Sequence, residues 1–236
     1  KNKRGIFMEN TNQLVESNVK AIGESVLKAL ISAVPVLGGP LSSLLGDYFS
    51  GRKERRFIEF LEGISKDLEN SRDLINEEFV SKEDFYDIFE LTARKIVLTR
   101  QEEKREAYRK ILTNSMTSKD ISYDEMEEFI SLLDGMRPEH ILLLKILKDP
   151  LKYDEENGNL VGKGGGFSTS ISQIMNKLLP NWDETSIIDV AAKLENDRLI
   201  KDITRNYKTM MTDQGINHLR NRLTDKGKKF CIFILE

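Results

Sequence analysis

From Gln13 to Met136 apolar residues return every three or four positions, and proline occurs in that span only within the run VPVLGGP. Such spacing builds helices with one apolar face, so a mainly helical fold is expected and the run marks its sharpest interruption. The run lies inside VLKALISAVPVLGGPLSSLLG, residues 26 to 46, the most apolar stretch of a chain that is 32% charged. Pro35 has no amide hydrogen to donate and disfavours helix at Val34. With Gly38, Gly39 and Pro40 it should divide a helix over residues 13 to 33 from a short one over 41 to 49. A bent apolar hairpin is therefore expected, carried by Leu30, Val34, Pro35, Leu37, Gly38, Gly39, Pro40 and Leu44. A membrane-spanning helix needs about 20 unbroken apolar residues, and this stretch offers about ten before its break. Two readings remain: a hairpin buried in a bundle, or one that leaves the bundle for a membrane or a partner.

The periodicity predicts one helix over residues 52 to 79, with Phe57, Leu61, Ile64, Leu68, Ser71 and Ile75 along a single seam. Another long helix is predicted from about 83 to 116, passing through TRQEEKREAYRK. A further one follows Ser122, with acids in its first turn and Gly135 after its end. Residues 1 to 12 read as a tag or a disordered start, because MENTNQLVES from Met8 resembles a natural beginning. Residues 13 to 136 then form a helical bundle.

Arg137 and Pro138 mark a boundary, Pro138 being suited to the first turn of a helix, PEHILLLKILKDP. A Gly-, Asn- and Ser-rich loop follows, with a short strand expected around Leu160 and Val161. Two more helices, SISQIMNKLLP and DETSIIDVAAKLENDRLI, precede the ending LTDKGKKFCIFILE. This order over residues 137 to 236 resembles the winged helix domains of bacterial regulators of the MarR and PadR kind. Leu194, Leu199 and Ile200 stand where such domains anchor a third helix, and Leu223, Thr224, Gly227 and Phe230 match the start of their terminal helix. The resemblance implies helices with a small β-hairpin, and no single function. The stretches VPVLGGPLSSLL, RKERRFIEFLE and EEKREAYRKIL are faintly similar to helical regions of bacterial proteins linked to prophages and abortive infection, which implies a phage-defence context.

Charge weighs against DNA reading as the main role. The third helix would carry Asp183, Glu184, Asp189, Glu195 and Asp197 against Lys193 and Arg198, whereas phosphates call for Lys and Arg. Residues 137 to 236 sum to +2 and residues 1 to 136 to −5, giving the net −3 of the chain. A domain devoted to nucleic acid is normally more basic. As an alternative role, a transcription regulator would use Arg205, Lys208, Arg220, Arg222, Lys226 and Lys228 on a DNA backbone.

Reactive constellations are not evident. GKGGG at 162 to 166 lacks the spacing of a phosphate-binding loop and reads as flexible loop. His140 near a helix start suits capping, and Cys231 in FCIFI should pack as a small hydrophobe. One cysteine and two distant histidines point to a reducing cytoplasm, with neither metal nor cofactor expected. The chain is expected to be a non-enzymatic interaction or effector protein, with a protein partner, a peripheral membrane contact or a second copy of itself as candidates.

Overall fold

The computed structural model describes residues 52–69, 72–118, 121–161, 169–211 and 215–236. The hairpin residues Leu30, Val34, Pro35, Leu37, Gly38, Gly39, Pro40 and Leu44 and the GKGGG loop lie outside them. The protein is mainly helical and divides into two compact units at Asp134/Gly135.

The first unit contains α1 (Arg52–Leu68), α2 (Glu77–Val80), α3 (Glu83–Leu98), α4 (Glu102–Thr117) and α5 (Tyr123–Asp134). Helix α1 packs on α3 and α4, and α5 packs on the same two. Its apolar stripe, Phe57, Phe60, Leu61, Ile64 and Leu68, is buried as the spacing requires. Phe60 meets Phe89 of α3 with ring centroids 5.9 Å apart, and Phe89 meets Phe85 at 6.5 Å. Ring contacts of this kind add to the area they bury.

Two long helices expected from the periodicity are each interrupted. The first closes at Leu68, and the Glu69 amide donates to the Lys66 carbonyl at 3.3 Å in a tighter turn. The chain resumes at Asn76, whose side chain accepts from the Phe79 amide at 3.2 Å and caps α2. The second turns a corner at Thr99 to Gln101, where both of these residues are extended. Arg56 donates to the Val97 carbonyl at 2.8 Å, satisfying a carbonyl left open at the end of α3, and Arg105 donates to the Arg100 carbonyl within the corner at 2.8 Å. Glu102 and Glu103 then suit the positive end of α4. At α5 Ser122 and Glu125 cap reciprocally: the Glu125 amide donates to the Ser122 hydroxyl at 3.2 Å and the Ser122 amide to the Glu125 carboxylate at 3.1 Å.

The second unit contains α6 (Pro138–Lys148), α7 (Pro150–Glu156), β1 (Thr169–Ser170), α8 (Ile171–Leu178), α9 (Glu184–Asn196), α10 (Ile203–Asn206), β2 (Met210–Met211), a 3-10 turn (Gly215–Arg222) and α11 (Asp225–Leu235). Helix α6 is central. It packs on α7, α9, α11 and the 3-10 turn, and buries Ile141, Leu143, Leu144, Ile146 and Leu147. A helix apolar on nearly every side belongs inside a fold. His140 closes its first turn, accepting from the Arg137 amide at Nδ1 over 3.0 Å.

Leu160 and Val161 do not form the expected strand. Leu160 is exposed, and Val161 is held by its amide, which donates to the buried carboxylate of Asp154 at 2.9 Å. The strand pairing falls elsewhere, Thr169 and Ser170 lying antiparallel to Met211 and Met210, with an isolated bridge between Ile200 and Leu223.

That bridge explains the spacing of Leu223, Thr224, Gly227 and Phe230. The Thr224 hydroxyl donates to the Arg198 carbonyl at 2.7 Å and accepts the Gly227 amide at 2.9 Å, tying the start of α11 to the turn after α9. Only a hydrogen fits at Gly227, since an added Cβ would lie 2.8 Å from the Leu199 carbonyl carbon and nearer still to its oxygen. Phe230, one turn on, is fully buried.

Candidate functional site

The end of α9 is a helix terminus of Schellman type. The Leu199 amide donates to the Leu194 carbonyl at 3.0 Å and the Arg198 amide to the Glu195 carbonyl at 2.9 Å, with Arg198 left-handed at φ 59° between them. Leu194 and Leu199 are both fully buried, the apolar contact that accompanies this motif.

Most acids of α9 serve the fold. Asp183 caps the helix, accepting the Ser186 amide at 2.7 Å, and that hydrogen bond holds its carboxyl below the usual range. Glu195 receives the Ile203 amide at 2.6 Å and the Thr204 amide at 3.0 Å, so it caps α10. Asp197 takes the Lys193 ammonium at 2.5 Å, and Glu184 takes Lys208 at 2.7 Å. The residues opposite the buried Ile187, Val190, Ala191 and Leu194, namely Thr185, Ile188, Asp189, Ala192 and Asn196, include one acid and no cation, while exposed Glu184 and part-exposed Lys193 flank them, each in an ion pair.

The six cations considered for a DNA backbone lie on this unit, but five already hold intramolecular partners. Lys208 is paired with Glu184, Arg220 with Asp149 at 2.8 Å and Lys228 with Asp225 at 2.9 Å. Arg222 donates to the Asp202 carbonyl at 3.3 Å and Lys226 to the Asp197 carbonyl at 3.4 Å. Arg205 is exposed on α10. Two neighbours that the sequence reading did not assign to this set, Arg198 and Lys201, are exposed beside them. The Lys201 amide donates to the Arg222 carbonyl at 2.8 Å, which brings the turn after α9 against the end of the 3-10 turn.

The first unit holds a polar node at the end of α5. Asp134 accepts Lys95 at 2.6 Å and the Tyr108 hydroxyl at 3.1 Å, while Lys104 donates to its backbone carbonyl at 2.8 Å. The hydrogen bond from Lys95 holds the Asp134 carboxyl below its ordinary range, whereas burial lowers the Lys104 ammonium and raises the Tyr108 phenol. All three donors converge on one residue, so the node anchors the last turn of α5. A cleft of about 310 Å³ in the same unit is lined by Arg56, Glu59, Glu102, Arg105, Glu106 and Arg109. Its arginines are tied to carbonyls or, for Arg109, to Asp67 at 3.0 Å.

Cys231 is buried, and desolvation pushes its thiol up to about 12, which suits packing. Burial lowers the His140 imidazole, consistent with its neutral, accepting role. Among the described residues no group of three or more His, Cys, Asp or Glu could hold a metal ion, and no helix is long and apolar enough to cross a membrane. No family model, curated protein or solved structure matches the chain.

Proposed function

We propose that the chain is a non-enzymatic interaction protein, a helical bundle joined to a winged-helix-like domain that engages protein in preference to DNA. The likeness to a winged helix draws support from three features: the order α6, α8, α9, the strand residues before α8, and the Leu223–Phe230 anchoring of the last helix. The outward face of α9 carries the functional reading. An element that reads a DNA groove meets phosphates and base edges with Arg, Lys, Asn and Gln, and affinity grows with each phosphate neutralised. Here Thr185, Ile188, Asp189 and Ala192 face outward, and the helix's own Lys193 is bound to Asp197. A small, mixed apolar and polar ridge of this kind fits a protein groove. On its sequence alone, the apolar stretch from 26 to 46 is proposed as a contact for a membrane or partner.

A photo-crosslinking residue in place of Ala192, introduced in cells that make the protein, tests the reading. A discrete protein adduct that disappears with Ile188→Glu is expected. Adducts to nucleic acid, or a protein adduct indifferent to Ile188→Glu, would overturn it.

A further inference from the structure

Arg198 occupies the one position of the α9 terminus where φ is positive, at 59°. Glycine is the usual occupant there, and a residue with a Cβ is less stable by about 1 kcal/mol. The arginine side chain is exposed and forms no ion pair among the described residues, so nothing seen among them offsets this cost. Lys201 and Arg205, three and seven positions on, are also exposed and without an ion pair among the described residues. The Lys201–Arg222 backbone bond and the Lys226 contact with the Asp197 carbonyl bring Arg222 and Lys226 to the same corner. Arg198 and Lys201 are thus presented to solvent on a turn held by one backbone bond and one lysine side chain, and Arg205 is exposed on α10, whose first amides are tied to Glu195 of α9.

We propose that the corner formed by Arg198, Lys201 and Arg205 binds an acidic segment of a partner protein. This rests on the protein-interaction reading above and names the chemistry of the partner. Charge complementarity selects the class. Asp202 and Asp225 stand exposed at the corner, Asp225 near Lys201 and already paired with Lys228. A nucleic-acid backbone, with a phosphate at every nucleotide, would press charge against both acids and also meet the cation-free face of α9. A peptide can place its carboxylates at the three cations and its amides at the two acids. Guanidinium groups bind carboxylates through two parallel hydrogen bonds, which favours arginine at two of the three positions.

The test is fluorescence anisotropy of the full chain with a short synthetic peptide alternating Glu and Ser, its Gln-for-Glu counterpart, and an oligothymidylate of equal charge. The Glu–Ser peptide should bind in a salt-dependent way and the Gln–Ser peptide should not. The double variant Lys201→Glu/Arg205→Glu should weaken binding about tenfold or more, and Lys53→Glu on α1 should leave it unchanged. Arg198→Gly separates fold from function: it should raise the melting temperature while weakening the peptide about threefold. A purely structural Arg198 would leave binding untouched. The proposal is overturned by absence of peptide binding, by equal loss in Lys53→Glu, or by tighter oligothymidylate binding that the double variant abolishes. Failure of the peptide with the Ala192 adduct intact defeats the corner alone; loss of both defeats the interaction reading itself.

Discussion

Gly227→Ala sets two well-known effects against each other. Gly227 lies in the first turn of α11, where helix propensity alone would make alanine more stable by up to about 1 kcal/mol. The new methyl would meet the Leu199 carbonyl, its carbon only 2.8 Å away where ordinary contact begins at 3.4 Å. Relief requires α11 and the 198–200 turn to part by more than half an ångström. Both hydrogen bonds from Thr224 to that turn, at 2.7 Å to Arg198 and 3.0 Å to Leu199, resist the movement. Overpacking of this kind costs about 1–3 kcal/mol, and weakening the two bonds adds about 1 kcal/mol each. The net expectation is a loss of about 2–4 kcal/mol. For a unit of roughly a hundred residues this lowers the melting transition by about 10–25 °C. Thermal and urea denaturation of the full chain, followed by circular dichroism, report it. A variant as stable as the parent, or more so, would refute the close approach of α11 to the α9 turn.

Glu195→Ala removes the acceptor for two α10 amides and should destabilise by about 1–3 kcal/mol, read as a lower urea midpoint; an unchanged midpoint would mean α10 needs no cap. His140 must be neutral to accept the Arg137 amide, and burial lowers its folded pKa. Its contribution is therefore complete above about pH 6.5 and declines as pH falls towards the folded value. Stability measured across that window should fall for the parent more steeply than for His140→Gln. Asp134 titrates below its ordinary value, so its contribution is present above about pH 4 and is lost as pH falls further. Asp134→Asn should lose less than about 1 kcal/mol at neutral pH, because the carboxylate is about half exposed, and should flatten the acid limb of the stability curve.

The helical class and the Pro138 helix start were legible because each rests on local chemistry, periodicity and a missing amide; Leu223, Thr224, Gly227 and Phe230 were marked only by a resemblance as a helix start, and their ties to the 198–200 turn emerge from the coordinates. The corner at Thr99 to Gln101 was not legible, since neither proline nor glycine marks it and TRQEEKRE, residues 99 to 106, holds no apolar residue to show a change of phase. What closes it is Arg56, more than forty residues upstream, reaching the Val97 carbonyl. The GluGlu pair at 102 and 103 was the available signal, because acids gather at helix starts. The true roles of the α9 acids were equally hidden. Composition shows five negative side chains; only coordinates show Glu195 turned back onto α10 and Asp197 onto Lys193. Arg198 was counted as one cation among others, and its importance emerges from a positive φ that no pattern of residue types displays.

The central claim is that the second unit engages protein through a helix whose outward face carries no cation. Titrating the full chain against random duplex DNA over a range of salt tests it most directly, because each phosphate contact would add about −0.9 to the slope of log affinity on log salt. No measurable binding at low salt is the expected result. Micromolar affinity with a steep slope, lost on Thr185→Glu or Ala192→Glu, would contradict it.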